Sequence, residues 1–148
     1  MLVKIQSIAN VGLETVPVDV EVDVASAGFP GFTIVGLASK AVEEARERVK
    51  TAIVNSGLDF PPKKITVNLA PADLPKDGAA YDLPIALGVL LASGQISMPT
   101  NLENSFFYGE LSLDGTLRKT RGILLLGLHA QKLKGSSIFV PGDSAAEA

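Results

Sequence analysis

The 148-residue chain contains no cysteine and no tryptophan, and aromatic residues make up only 5% of it. Without cysteine, neither a disulfide scaffold nor a thiolate metal site is available, and the composition fits a reducing compartment. The single histidine, His129, has no second histidine to pair with and reads as a structural or exposed side chain in mid-helix. No segment approaches the roughly 18 apolar residues that a membrane span needs. The first residues, Met1-Leu2-Val3-Lys4-Ile5-Gln6, have no basic head followed by an apolar core. A cytoplasmic protein with no membrane partner is therefore expected. A basic excess is missing too: 13 Lys and Arg face 16 Asp and Glu, for a formal net charge of −3. The chain as a whole lacks the balance of an autonomous nucleic-acid binder, so any such contact has to use a local patch. Finally, no Gly-x-x-x-x-Gly-Lys-Ser/Thr stretch occurs, which leaves out the phosphate-cradling loop of a P-loop ATPase.

What is present is a globular pattern, with 47% hydrophobic and 20% charged residues. Valines at 16, 18, 20, 22 and 24 alternate with Pro17, Asp19, Glu21 and Asp23, the period-two signature of a strand with one buried face. Val3 and Ile5 alternate with Lys4 and Gln6, and Asn10-Val11-Gly12 supplies a turn between the two strands. Phe29-Pro30-Gly31 breaks the chain before a third strand, Phe32 to Val35. The break reads as a turn with one buried ring, with an exposed aromatic for subunit contact as the alternative. Ser39 is placed to cap a helix whose apolar stripe is Val42, Ala45, Val49, Ala52 and Ile53 and which stops at Asn55-Ser56-Gly57. Its other face, with Glu44 four residues before Arg48, reads as salt-bridged surface, as do Arg46 and Lys50.

Ile65, Val67 and Leu69 mark a fourth strand, and a second, almost wholly apolar helix is expected from near Asp82 to near Gly94. One strand is expected from Phe106 to Leu113, then a turn at Asp114-Gly115 into Thr116-Leu117-Arg118, a third helix over about Ile123 to Lys134, and a last strand at Ile138 to Val140. The order of elements predicts an α+β fold, a mixed sheet with helices packed on one face. One domain is expected over 1–142, and 143–148 reads as the cut-short start of a connection to something further.

The loop Asn68 to Ala80 joins a strand to a buried helix, where backbone N–H groups are placed to stabilise an oxyanion. Within it, Pro75-Lys76-Asp77-Gly78 followed by Ala79-Ala80 resembles the Lon protease loop Pro-Lys-Asp-Gly-Pro-Ser-Ala-Gly, with Ala80 on the catalytic serine. The stretch Gly109-Glu110-Leu111-Ser112-Leu113-Asp114-Gly115 is similar to the Lon strand and turn ahead of its catalytic lysine, and counting onward places Leu124 on that lysine. A serine nucleophile needs a nearby base, and a lysine base must be desolvated to be neutral. The resemblance therefore implies a degenerate dyad, Ala80 and Leu124, and no Lon-type peptide hydrolysis.

Nearly the whole chain resembles the amino-terminal domain of the ComM/YifB family, the magnesium-chelatase-like AAA+ ATPases. The resemblance rests on Phe32 to Leu37, Glu44 to Val49, Ile65 to Lys76 and Asp82 to Gly88, and it departs at Ala38-Ser39, where the family more often has Pro-Asp. It implies a Lon-like fold, shared with a ribosomal-protein domain, followed by an ATPase module that would bring ATP and Mg²⁺; no cofactor is implied for this stretch itself. It further implies a hexameric ring acting on branched or single-stranded DNA in recombination or natural transformation.

Candidate contacts to DNA or a partner are Lys63, Lys64, Lys76, Arg118, Lys119 and Arg121, with Lys76 and Asp77 alternatively shaping the backbone. No metal site is expected, because Asp19, Glu21 and Asp23 stand about 7 Å apart along one strand face. The competing readings are a hydrolase using Ser112 or Thr120, and a subunit of a magnesium chelatase.

Overall fold

The computed structural model describes residues 1–97, 104–119, 137–139 and 142. Two long strands, β1 (Leu2–Val11) and β2 (Glu14–Val24), form an antiparallel hairpin in which Ile5 faces Val20 and Val3 faces Val22. Strands β3 (Gly31–Val35) and β4 (Lys64–Ala70) pair in parallel, and β4 joins the hairpin antiparallel to β2. On the far side, β5 (Ser105–Phe107) runs parallel to β1, and β8 (Ser137–Phe139) parallel to β5. The mixed sheet thus has six strands in the order β3-β4-β2-β1-β5-β8. A short separate hairpin, β6 (Glu110–Leu111) with β7 (Leu117–Arg118), completes the strands among the described residues.

The valine alternation of β2 does what its period requires. Val18, Val20 and Val22 are fully buried, while Asp19, Glu21 and Asp23 stay half-exposed on the other face, where Glu21 accepts a hydrogen bond from Asn68. Onto the valine face pack α1 (Lys40–Glu43), α2 (Ala45–Asn55) and α3 (Asp82–Ala92), and Val42, Val49, Ile53, Ile85 and Val89 share one apolar cluster with Val20, Val22, Ile65 and Val67. The predicted α+β architecture, a mixed sheet with its described helices on one face, is what forms. The turn at Gly28 to Gly31 leaves the Phe29 ring 93% exposed and the Phe32 ring half-buried.

Two expected elements differ from expectation. The helix from Ser39 to Asn55 is interrupted at Glu44, where Arg48 Nη2 takes the Ala41 carbonyl at 3.1 Å, the acceptor that an uninterrupted helix would offer to Ala45. The expected strand from Phe106 to Leu113 is two strands in different sheets. Tyr108 still donates to Phe139 O, but Gly109 donates its N–H to Ala80 O at 2.8 Å and accepts from Leu83 N–H at 3.0 Å, so the chain is tied to the start of α3 and leaves the sheet. The expected third helix, Val140 and the 143–148 connection lie outside the described residues.

At Gly88 the contact between α3 and β2 is close: a Cβ there would lie 2.4 Å from Val22 Cγ2. Alanine would gain about 1 kcal/mol in helix propensity, yet Gly88→Ala is expected to lower stability by about 1–3 kcal/mol through overpacking. Urea unfolding midpoints check this. The double variant Gly88→Ala with Val22→Ala should be less destabilised than the sum of the singles; strict additivity would show that this contact does not set the helix-to-sheet distance.

Candidate functional site

The segment between β4 and α3 is held by a lysine turned inward. Lys76 is 1% exposed, and its ammonium donates to Gly36 O at 2.7 Å and to Pro71 O. Its backbone is held as well, because Lys76 N–H donates to Leu37 O and Ser39 N–H donates to Lys76 O, a parallel bridge centred on Ala38. Gly36 makes this approach feasible: a Cβ there would sit 2.2 Å from Leu69 O, so only glycine lets this turn lie on β4. Burial pushes the Lys76 ammonium below its ordinary pKa, and the Asp73 carboxylate pulls partly the other way. Lys76 is therefore removed from the expected surface contacts. Its charge is spent inside the loop, in keeping with the backbone-shaping alternative.

Asp77 carries the connection to α1. Its Oδ1 accepts from the Ser39 hydroxyl at 2.7 Å and from Gly78 N–H at 2.8 Å, while Ser39 Oγ in turn accepts from Val42 N–H at 3.3 Å as the helix cap. The hydroxyl and the amide hold the exposed Asp77 carboxyl below the usual carboxylate range.

Ala80, the position that resembles a nucleophilic serine, is 4% exposed and packs with Ile8, Phe106 and Tyr108, with Ile138 against them. By the pleat, Ile8 and Phe106 lie on the sheet face opposite Ile5 and Phe107, so this cluster is separate from the helix-covered core. The neighbouring Tyr81 hydroxyl is buried, its pKa raised by desolvation, and it donates to Ile8 O at 3.3 Å. A methyl group in apolar surroundings has no acid, base or nucleophilic chemistry to offer. Leu124, the other dyad position, lies outside the described residues.

A family model described as subunit ChlI of Mg-chelatase matches residues 20–144, a span that takes in this entire loop. The chain belongs to the ChlI, magnesium-chelatase-like family. It is 48% identical over 139 residues to the uncharacterized protein YifB of Escherichia coli K12, and 46% identical over 135 residues to the competence protein ComM of Haemophilus influenzae. These alignments cover 94% and 91% of the chain but only 27% and 26% of the relatives, so the chain spans about a quarter of their length. The resemblance drawn from Phe32–Leu37, Glu44–Val49, Ile65–Lys76 and Asp82–Gly88 is borne out.

In this family member the sequence pattern hid a tightly built ion pair. Asp82, with no exposed surface, accepts from Arg48 Nε at 2.6 Å, from Arg48 Nη2 at 3.1 Å and from Leu111 N–H at 3.1 Å. Arg48 had read as helix surface; its contact with Glu44 is longer, at 3.8 Å, and its side chain is only 19% exposed. Burial pushes the Asp82 carboxyl up against the pull of Arg48 and of the Leu111 amide, and Asp82 holds the guanidinium above its ordinary value. An acid at the head of an otherwise apolar helix was the available signal, since a buried carboxylate demands a cation.

The remaining expected contacts fall in two places. Lys63 and Lys64 are exposed at the start of β4, beside Gly31. Arg118, in β7 opposite Glu110, and Lys119 after it are exposed on the small hairpin, which Asn55 ties to α2 through Leu113 O. Arg121 lies outside the described residues.

Arg48→Met should cost about 3–5 kcal/mol in urea unfolding, because it leaves a buried carboxylate unpaired. Arg48→Met combined with Asp82→Leu should recover much of that loss; a double variant no better than the single would refute the pairing. For Asp77, the folded pKa is depressed, so its contribution is complete above the ordinary carboxylate range and is lost as pH falls through the folded value. Wild type and Asp77→Asn should differ in unfolding midpoint at neutral pH and converge in acid. An equal difference at both pH values would disprove the linkage.

Proposed function

We propose that this chain is a non-proteolytic Lon-like accessory domain that helps to assemble a hexameric AAA+ ATPase acting on DNA in competence-related recombination, as in branch migration. The observation that carries the reading is the side chain at the nucleophile position: Ala80 presents a methyl group packed among Ile8, Phe106 and Tyr108. The Lys76 ammonium, four residues earlier in the same loop, donates to two carbonyls, which supports a role in holding the backbone. A loop with catalytic layout and no usable nucleophile is better suited to holding a frame than to chemistry. Kinship with a relative named as a competence protein supports the DNA side of the reading. ATP and Mg²⁺ belong, in this reading, to a module beyond the present chain. The domain's own DNA contacts would come from Lys63, Lys64, Arg118, Lys119 and Arg121.

The test has two parts. Purified chain, wild type and Ala80→Ser, should cleave neither casein nor a fluorogenic peptide, because a hydroxyl placed in that apolar cluster still lacks a base. It should bind forked DNA with an affinity that falls steeply as salt rises. Peptide cleavage abolished by Ser112→Ala or Thr120→Ala would favour the hydrolase reading instead. Magnesium-dependent porphyrin binding would favour the chelatase reading, which draws on the description of the family model. Absence of forked-DNA binding at low salt would reduce the role to scaffolding.

A further inference from the structure

On a chain of net charge −3, one open depression of about 600 Å³ is lined by three cations, Arg46, Lys50 and Lys63, against one carboxylate, Glu47. Arg46 and Lys50 come from α2 and Lys63 from the head of β4, so elements distant in sequence converge there. Its apolar wall is aromatic. The Phe32 and Phe60 rings stand 5.3 Å apart, centroid to centroid, both half-buried, and the Lys50 ammonium lies 5.7 Å from the Phe60 centroid. Pro30 lines the rim, and the preceding Phe29 leaves its ring 93% exposed. An aromatic ring so fully in water makes no contribution to the core of this chain.

From this arrangement we infer that the basin binds single-stranded nucleic acid, with the three cations on successive phosphates and the phenylalanine rings stacking unpaired bases. Cations tracking a backbone beside exposed π-faces is the chemistry of sequence-tolerant single-strand binding. A duplex keeps its bases stacked on each other and offers the rings nothing, and an acidic peptide would use the cations but leave the rings idle. The inference rests on the proposed DNA role and sharpens it, because it places the contact away from the Arg118–Lys119 hairpin and selects unpaired strands. Arg46 and Lys50, which read in the sequence as helix-surface ion pairs, become ligand-facing.

The test is fluorescence anisotropy of labelled oligothymidylate with the 148-residue chain at low salt. Lys50, Lys63 and Phe29 are all exposed, so their replacement leaves the core intact. Lys50→Ala with Lys63→Ala should weaken binding about tenfold and reduce the salt slope by about 1.4. Phe29→Ala should weaken it about fivefold or more with little change in slope. Binding by these variants equal to wild type, with loss confined to Arg118→Ala and Lys119→Ala, would overturn the inference and leave the DNA role standing. No wild-type binding to oligothymidylate or forked DNA would overturn both. Displacement of the oligonucleotide by polyglutamate at lower concentration than by unlabelled oligothymidylate would reassign the basin to acidic peptides.

Discussion

A carboxylate taken wholly out of water is the constraint around which the helical layer is arranged. Moving an isolated ion into the interior costs several kcal/mol, and among the described residues Asp82 offsets that cost through two Arg48 nitrogens and the Leu111 amide. Asp82 begins α3 and its partners come from α2 and β6, so all three elements must be in place for the carboxylate to be satisfied. Arg48 also reaches back to the Ala41 carbonyl and so joins the preceding helical turn to the same point. The pair is less a source of net stability than a condition on geometry: helices that slide relative to one another leave a buried charge without partners.

The loop between β4 and α3 follows similar logic on a smaller scale. A lysine placed where a protease-like loop would concentrate chemistry instead donates to the carbonyls of Gly36 and Pro71. The adjacent aspartate accepts from the Ser39 hydroxyl, which fastens the loop to the cap of α1, and from the Gly78 amide within the loop itself. Gly109 joins the far end of the loop to the start of α3 and turns the following chain out of the sheet. Lys76 is thus committed to backbone carbonyls, Asp77 to a hydroxyl and an amide, and the Ala80 methyl to packing. The cations of the basin and the hairpin, by contrast, lie on the outside.

Local periodicity made much of this legible. The valine alternation of β2, the Ser39 cap, the apolar run of α3 and the Asp114-Gly115 turn each depend on neighbours within a few residues, and each forms as the pattern says. Kinship was legible in the same way, as contiguous stretches in the right order. The break of the Phe106–Leu113 run was not, because a local pattern of apolar residues cannot register a hydrogen bond from Gly109 to Ala80. Nor was the fate of Lys76 or Arg48: long cationic side chains look alike in sequence whether they end in water or on a buried acceptor.

The amino-acid sequence by itself determined the sheet faces, the cap at Ser39 and the stop at Asn55, the family and the missing hydroxyl at residue 80, since these are set by side-chain identity and short-range spacing. Only the tertiary structure decided that the methyl of Ala80 is packed beside Phe106 and Tyr108, that Lys76 is sealed in while Lys63 stays in water, and that Arg46, Lys50 and Lys63 surround one aromatic basin. Those outcomes depend on which distant elements the burial of apolar surface brings side by side, and no local spacing carries that information.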